Sequence, residues 1–516
     1  MSVTEESNTP LKVSMNHNKP KSAAPGSVTQ ESKLMVKHSI VYGLGNVLNR
    51  VVGFVMIPVY TRFLVPAEYG TLELLSLTTE ILGMLISMRL AGAMYRFYFE
   101  YDALQDRNEV ISTAIISFGL LGIVGLSMAA TGSGFLAEKV LDSRGYSYYF
   151  IISFTTLWFN TMVGMGFYYL QILKKSVLYI SLSAVKLAIA LGFNIYFIVY
   201  AQKGVLGILY GNLIAAVSLF AILVIPMLFR VGVRFSSAKI RDMLAYSLPM
   251  VPGSIANFLV LVSDRYIVKV FGSLADTGIY SLSYKFSVVP HTFITVPFFQ
   301  IWSVRRFELM KDGRAEVLMG RVITYFLFLI TYVGLAISVL AKDVIHIMAD
   351  SKYWEAYRYV PILILSYLVF SLFNHFVFNI FAAKKTKYIS YIDIGNGIVN
   401  VLLNIVLIRS FGIYGAAVAT LISYSLRIGA LYLVSSSLNK VYFEFGRAGK
   451  ILTAAIVIFG VCALVQAASP YLGICVKSVV LLFFPVLLYF LQFFSKDELH
   501  KLNRIVSQRS LKSVWQ

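Results

Sequence analysis

Charged side chains are scarce in this sequence, and acidic side chains are the scarcest. Of 516 residues only 14% are charged, with 25 Asp and Glu against 45 Lys and Arg, while 58% are hydrophobic and the mean hydropathy is +0.75. A chain this apolar does not cover itself with a polar surface in water. The composition therefore predicts a polytopic membrane protein, and membrane topology explains the net charge of +20 better than binding of nucleic acid does.

Cysteine and the common catalytic motifs are also nearly absent. The two cysteines, Cys462 and Cys475, lie in apolar tracts, so no disulfide framework is expected. The sequence has no Asp-X-Asp metal site, no GxxxxGK[ST] phosphate loop and no HExxH motif. A membrane enzyme would also need a substantial polar loop to hold catalytic groups, and the loops between the apolar stretches have under about 20 residues. We therefore expect no enzymatic activity, no cofactor and no metal.

One stretch of sequence occurs twice. FLVPAEYGTLEL begins at Phe63, and FGSLADTGIYSL begins 208 residues later at Phe271. The same offset relates GVLGILYGNLIA from Gly204 to GIYGAAVATLIS from Gly412. An offset of 210 relates a third set, Lys174, Lys175 and Asn194, to Lys384, Lys385 and Asn404. Agreement between separate stretches predicts a duplication into two halves of about 200 residues.

Apolar windows of the length needed to cross a bilayer recur from Lys37 to Phe494. They predict fourteen transmembrane helices, at 38-62, 70-95, 110-131, 146-171, 177-201, 205-229, 243-268, 277-303, 322-341, 359-382, 388-408, 412-436, 451-469 and 472-494. The predicted architecture is an all-α polytopic membrane protein with two six-helix lobes and a C-terminal helix pair.

The domain boundaries follow from these spans. Residues 1-36 are polar and lack aromatic residues, which predicts a disordered tail rather than a signal peptide. The N-terminal lobe is expected at 37-232, the C-terminal lobe at 239-440, a peripheral, lipid-facing helix pair at 449-494 and a basic tail at 495-516.

The loops predict the orientation in the membrane. Of the 45 Lys and Arg residues, 29 fall in the two tails and in the loops after the even-numbered spans 2 to 12. By the positive-inside rule this places both termini in the cytoplasm. Because each half has an even number of spans, the repeats should be parallel, related by an axis along the membrane normal.

Six basic residues fall inside the predicted spans of the two lobes, apart from Arg62 at the end of span 1, namely Arg50, Arg89, Lys186, Arg265, Lys285 and Arg427. Each would cost roughly 3 kcal/mol at the centre of an isolated helix, so we expect them to face a polar interior. The acidic residues at the same depth are Glu73, Glu80, Asp264 and Asp393. Even if all four pair with basic residues, two positive charges are left over. The predicted interior is therefore cationic.

Polar residues recur at helical spacing in both halves, which predicts that they line this interior. The candidate substrate-binding residues are Arg50, Lys186, Arg427, Arg265, Asn46, Asn49, Glu80, His291, Asp393 and Asn396. Three alternatives stay open. An individual Asn can simply hydrogen-bond a neighbouring helix, Arg265 can form a structural ion pair with Asp264, and His291 can be a hydrogen-bonded core residue.

Several tracts resemble one family. They are TRFLVPAEYG, RLAGAMYRF at the end of span 2, LPMVPGSIANFLVLVSDRYIVKVFGSLADTGIYSLSYKF and GIYGAAVATLIS. Together with the number and order of spans over residues 37-494, they resemble the polysaccharide biosynthesis transporters. These are lipid-linked oligosaccharide (Wzx-type) flippases of the multidrug/oligosaccharidyl-lipid/polysaccharide exporter superfamily.

The resemblance implies two lobes in a V around a central cavity. It implies that the protein moves a polyprenyl-pyrophosphate-linked oligosaccharide from the inner to the outer leaflet of the plasma membrane, by alternating access, for cell-surface polysaccharide synthesis. The expected partners are this glycolipid and membrane lipids, with proton or sodium coupling left open. Two alternatives are an ion-coupled multidrug exporter, which would be expected to have an acidic cavity, and a polytopic glycan polymerase or glycosyltransferase.

Overall fold

The computed structural model describes residues 53–309, 315–438, 442–496 and 498–500. Most of predicted span 1, including Asn46, Asn49 and Arg50, lies outside the described residues, as do the N-terminal tail and the end of the C-terminal tail. The described residues are almost entirely helical, which confirms the all-α prediction.

The helices are α1 (Ile57–Phe63), α2 (Pro66–Ser87), α3 (Leu90–Tyr98), α4 (Leu104–Thr131), α5 (Ser133–Leu141), α6 (Ser147–Ile172), α7 (Ser176–Ile195), α8 (Gly204–Leu219), α9 (Ile225–Val231), α10 (Ser237–Ser247), α11 (Val251–Phe271), α12 (Leu274–Ser287), α13 (Val296–Leu309), α14 (Ala315–Met348), α15 (Val360–Ser371), α16 (Phe373–Ala382), α17 (Lys387–Leu438), α18 (Phe445–Leu464) and α19 (Pro470–Phe490). Short π-helical segments extend α7 and α8 and precede α13, at Tyr196–Tyr200, Phe220–Val224 and His291–Thr295.

Eleven helices of the described chain are long and apolar enough to cross a membrane, against fourteen predicted spans. One of the eleven, α17, has 52 residues and would extend about 78 Å if straight, far beyond one crossing. It breaks at Gly412, where φ is 56° and ψ is −134°. The two arms fold back as a hairpin, since Ser423 Oγ donates to Asn396 Oδ1 at 2.8 Å. Predicted spans 11 and 12 are thus the arms of α17.

The other two predicted spans are interrupted or lie mostly outside the described chain. Predicted span 8 is divided into α12, the π-helical segment His291–Thr295 and α13, with Pro290 and Pro297 at the ends of that segment. Proline removes a backbone donor and disrupts the helix at both places. Of predicted span 1, only the part that contains α1 is described.

The two copies of the repeated stretch meet each other. A Cβ at Gly70 would lie 2.0 Å from the carbonyl oxygen of Leu274, and a Cβ at Gly278 would lie 2.0 Å from that of Pro66. Gly70 corresponds to Gly278 and Pro66 to Leu274 at the offset of 208, so the contact is reciprocal. The first turns of α2 and α12 therefore pack backbone to backbone, as small residues allow.

The offset of 210 also relates equivalent turns. Lys174 and Lys384 both adopt left-handed backbone conformations, with φ of 55° and 56°. In each case the next N–H bonds the carbonyl oxygen five residues earlier, a common helix C-terminal motif. These bonds are Lys175 N to Leu170 O at 2.9 Å and Lys385 N to Ile380 O at 3.0 Å.

Predicted span 7 lies within the stretch Ser237–Phe271, which is long and apolar enough to cross a membrane but is divided into two helices. Helix α10 packs on the first half and is followed by a 3₁₀ turn, Leu248–Met250, before α11. Lys239 of α10 is buried and bonds Asp106 and Glu109 at 2.9 and 2.6 Å. The connection between the halves is thereby fixed to α4.

The C-terminal pair α18 and α19 packs on α14 and on each other. Lys477 of α19 forms a buried ion pair with Asp343 of α14, with Nζ to Oδ2 at 2.6 Å. This ion pair attaches one face of the C-terminal pair to the second half. The outer face of the helix pair does consist of exposed apolar side chains such as Leu482 and Phe490, but its inner face is docked by charge and by close packing.

Candidate functional site

Helix α2 carries an accessible polar face at membrane depth. Ser76 and Glu80 are exposed, and Glu73 is half-buried on the same side of the helix. We call these three residues the α2 polar face. Helix α2 packs against α6 of the first half and against α11 and α12 of the second. A charged residue exposed to lipid at this depth would be costly, so this face indicates a polar space between the halves.

Arg265 lies on α11 and is only 3% exposed. Its Nη1 is 2.8 Å from Asp264 Oδ1, and its guanidinium carbon lies 3.6 Å from the centre of the Tyr284 ring. Tyr280 donates a hydrogen bond to the other oxygen of Asp264, at 2.6 Å. The structural ion pair that the sequence left open is present, and the charge of Arg265 is already compensated.

Lys285 and Glu73 lie near this pair, across the boundary between the halves. Lys285 Nζ on α12 donates to Tyr69 Oη on α2 at 2.7 Å. Glu73 is within electrostatic range of both Lys285 and Arg265 but forms no hydrogen bond or ion pair among the described residues. The boundary here combines two basic and two acidic side chains, so it is close to neutral.

Lys186 differs from the other basic residues at depth. Its Nζ, half-buried on α7, donates to Asn160 Oδ1 of α6 at 2.6 Å. No carboxylate of the described residues lies within 4 Å of it. The neutral amide satisfies one of the three N–H donors of the ammonium group and leaves its charge uncompensated.

Arg427 and Asp393 face each other across the α17 hairpin. Arg427 Nε and Nη2 lie 2.9 and 2.8 Å from Asp393 Oδ1, and the guanidinium carbon lies 4.3 Å from the centre of the Phe373 ring. Asn396, one turn along, accepts from Ser423 and is buried. These residues hold the two arms of the hairpin together, with the charge of Arg427 paired.

His291 lies inside an aromatic cluster of the second half. Its ring centre is 5.7 Å from that of Tyr367 and 5.2 Å from that of Phe370. The described structure thus separates the candidate residues: Glu80 lies on the α2 polar face, Arg265 beside the boundary of the halves, Lys186 between α6 and α7, His291 in the aromatic cluster, and Arg427, Asp393 and Asn396 within α17. No hydrogen bond or ion pair links Arg265, Lys186 and the α17 residues to one another among the described residues.

Some residues of these groups were not among the sequence candidates. Tyr69, Tyr280 and Tyr284 lie beside the buried charges. Tyr280 and Tyr284 recur at helical spacing with His291 in predicted span 8, which is a signal that the sequence carries. Asn160 carried no such signal, because it is a lone amide in an aromatic-rich helix. No group of three or more His, Cys, Asp or Glu side chains that could hold a metal ion occurs in the described residues.

Comparisons with known proteins agree on one family and one fold. The model of a family described as polysaccharide biosynthesis protein matches residues 35–302, just over half of the chain. An uncharacterized membrane protein of Methanocaldococcus jannaschii is 23% identical over 67% of this chain and 73% of that protein. A probable low-salt glycan biosynthesis flippase of Haloferax volcanii is 23% identical, but the match covers only 43% of this chain and 47% of the flippase.

Two solved structures share the fold. A lipid II flippase in an inward closed conformation aligns with a TM-score of 0.70 at 14% identity, over 87% of this chain and 99% of that one. An inward-facing multidrug resistance MATE transporter aligns with a TM-score of 0.61 at 11% identity, over 75% of this chain and 94% of that one. At these identities the likeness establishes the fold alone.

Proposed function

Because the chain belongs to the polysaccharide biosynthesis protein family, we propose that it is a flippase for a polyprenyl-pyrophosphate-linked oligosaccharide. It moves this glycolipid from the cytoplasmic to the outer leaflet of the plasma membrane for cell-surface polysaccharide synthesis. The glycan-flippase relative, the fold shared with a lipid II flippase and the α2 polar face support this function.

In this proposal the chain has two lobes, residues 37-232 and 239-440, with the pair 449-494 attached to the second lobe and both termini in the cytoplasm. The reciprocal contact of Gly70 with the Leu274 carbonyl and of Gly278 with the Pro66 carbonyl supports a twofold relation. We call this contact end the outer end and the opposite end the inner end.

The described state is closed at the outer end. Besides the glycine contact, Lys285 bonds Tyr69, and Tyr353 Oη bonds the Leu64 carbonyl at 3.2 Å. Alternating access then requires these contacts to break when the glycolipid leaves to the outer leaflet. Transport takes no chemical step and needs no cofactor. Whether it is coupled to protons or sodium is left to measurement.

Lys186 is the observation that carries substrate binding in this proposal. Asp264 and Asp393 neutralise Arg265 and Arg427, whereas Lys186 has only a neutral amide partner. A pyrophosphate would supply the missing charge, and hydrogen bonds between charged groups are the stronger kind. Arg427 and Arg50 remain further candidates, Arg427 as an arginine already oriented by Asp393.

The test replaces Lys186 by Gln and by Arg and measures glycan export beside the amount of protein in the membrane. We expect Lys186→Gln to lose most of its export at normal protein level, and Lys186→Arg to keep a large part of it. Arg265→Gln serves as the comparison, because breaking a buried ion pair should lower protein abundance first. Normal export by Lys186→Gln would show that the substrate binds elsewhere.

One observation favours a second candidate, a cation-coupled multidrug exporter. Glu73 and Glu80 on the α2 polar face form no ion pair within the described chain, so this face is acidic rather than cationic. An exporter would need these carboxylates for cationic drugs, so Glu73→Gln with Glu80→Gln should abolish drug resistance. Unchanged drug sensitivity together with lost glycan export would reject the exporter.

A further inference from the structure

Span 2 breaks at a place where its sequence offers no reason to break. Helix α2 ends at Ser87 and α3 begins at Leu90. Between them Met88 has φ 43° and ψ 24°, and Arg89 has φ 54° and ψ 24°. Both residues are left-handed, and neither is glycine, asparagine or aspartate, the residues that adopt this conformation readily.

This pair stands apart from the other left-handed residues. The described residues contain five more non-glycine residues with positive φ, and each is isolated at the end of a helix. A single left-handed residue is a normal helix cap, but two consecutive ones without glycine are costly. Such strain persists only where the surrounding structure holds it, and it is often found at moving parts.

Both sides of the break are held by different partners. Helix α3 belongs to the packed interior of the first half, where Leu90 and Met94 are buried beside α4, and Arg96 lies 4.2 Å from the centre of the Tyr246 ring on α10. Helix α2 instead lies on the boundary, packing against α11 and α12 of the second half as well as α6 of the first. The break between Ser87 and Leu90 therefore separates a helix shared by both halves from a helix that packs within the first half.

The break also directs one side chain across the inner end. Arg89 Nη1 donates to Ser254 Oγ of α11, in the other half of the chain. Arg89 is exposed, and its acceptor is neutral. This single hydrogen bond is a weaker connection between the halves than the backbone contact at the outer end. At the offset of 208, Met88 corresponds to Val296, where α13 begins directly after the π-helical segment His291–Thr295.

We propose that Met88 and Arg89 form a strained hinge that holds Arg89 on Ser254 as a latch at the inner end, and that the latch opens when the hinge returns to right-handed helix. The inference rests on the proposed function, because it is alternating access that requires the inner end to open. In the second half, the corresponding position of span 8 is the π-helical segment between Pro290 and Pro297, which the two prolines hold in place.

The test measures how often the inner end is open. A single cysteine at Ser76, on the α2 polar face, is introduced into a chain whose Cys462 and Cys475 are alanine. Its modification rate by a membrane-impermeant maleimide is measured in inside-out vesicles. If opening and closing are fast, this rate is proportional to the open fraction.

Substitutions at Met88 should shift this rate in opposite directions. Glycine adopts the left-handed conformation freely, so Met88→Gly should favour the latched state and slow labelling, by roughly five- to thirtyfold. Valine is β-branched and strongly disfavoured there, so Met88→Val should speed it. Ser254→Ala removes the latch acceptor without touching the hinge and should also speed labelling. Leu85→Gly and Leu85→Val, one turn earlier in ordinary helix, are the matched controls and should change the rate less than twofold.

Equal rates in Met88→Gly, Met88→Val and Ser254→Ala would overturn the inference, since the break would then be a fixed kink. Ser254→Ala keeps the test decisive if Met88→Val fails to accumulate. The labelling needs no substrate, so it separates the two proposals. If the variants show the expected labelling rates but the unmodified protein transports no glycan, the flippase proposal is rejected and the hinge is retained. If the unmodified protein transports glycan but the variants do not change the labelling rate, the hinge is rejected and the flippase proposal is retained.

Discussion

At the scale of single residues, the ion pair of Lys477 and Asp343 fixes the C-terminal helix pair. Both side chains are less than a tenth exposed, and Gly473 leaves room for the carboxylate, since a Cβ there would lie 2.6 Å from Asp343 Oδ1. We expect Asp343→Asn to lower the free energy of unfolding by about 3–5 kcal/mol, because it leaves Lys477 buried without a counter-charge. Thermal unfolding of the protein in lipid nanodiscs measures this.

The exposed pair of Arg96 and Glu100 provides the control. Both side chains are about half exposed and 3.2 Å apart, so Glu100→Gln should change stability by less than about 1 kcal/mol. Replacing Lys477 by Met and Asp343 by Leu together should recover most of the loss. An Asp343→Asn variant as stable as Glu100→Gln would mean that the pair does not hold α19 on α14.

The sequence identified the unusual residues better than it identified the contacts between them. Arg265, Arg427 and Lys186 stood out because charge at membrane depth is rare, and the structure places all three at polar contacts. Partners such as Asn160 and Asp343 are distant in sequence, and helical spacing carries no information about the facing helix. Two of the pairings that the charge count allowed are present, Arg265 with Asp264 and Arg427 with Asp393.

At the scale of helices, the crossing of α2 and α12 depends on two glycines. In Gly70→Ala the new Cβ would meet the Leu274 carbonyl at 2.0 Å, so the first turns must separate. We expect the outer end to close incompletely, with export lost and stability lowered by about 1–3 kcal/mol. A cysteine at Ser76 should then react with impermeant maleimide added to intact cells.

Gly92→Ala is the matched control, because a Cβ there meets nothing within 4 Å. It should leave export, stability and labelling unchanged. Gly278→Ala makes the reciprocal contact with the Pro66 carbonyl and should reproduce Gly70→Ala. If Gly70→Ala exports normally and stays unlabelled from outside, the glycine contact is not the outer closure.

Hydropathy located the helices and the turn in α17, but not every interruption. The long α17 was predicted as two spans, and Gly412 is where the hairpin turns. The break at Met88 and Arg89 was not predicted, because neither residue disfavours helix in isolation. Their conformation depends on how α2 and α3 pack on different halves, which hydrophobic periodicity does not record.

At the scale of the whole molecule, the repeat and the charge distribution should agree on one orientation. Gly70 and Gly278 are equivalent residues that lie against each other, so both copies of the repeated stretch are on the same side of the membrane. The opposite side carries the loops that hold most of the Lys and Arg residues, 29 of 45 with the tails. From the positive-inside rule we expect the glycine contact to be the outer end.

Single cysteine substitutions test this orientation directly. Ser237 and Thr386 are exposed in loops of the lysine- and arginine-rich side, and Ser273 and Ser351 are exposed on the side of the glycine contact. In a chain without its natural cysteines, we expect Ser273→Cys and Ser351→Cys to react with impermeant maleimide in intact cells. Ser237→Cys and Thr386→Cys should react only in inside-out vesicles. The reverse pattern would invert the membrane orientation and turn the proposed export into import, and labelling of both groups from one side would contradict the predicted number of spans between them.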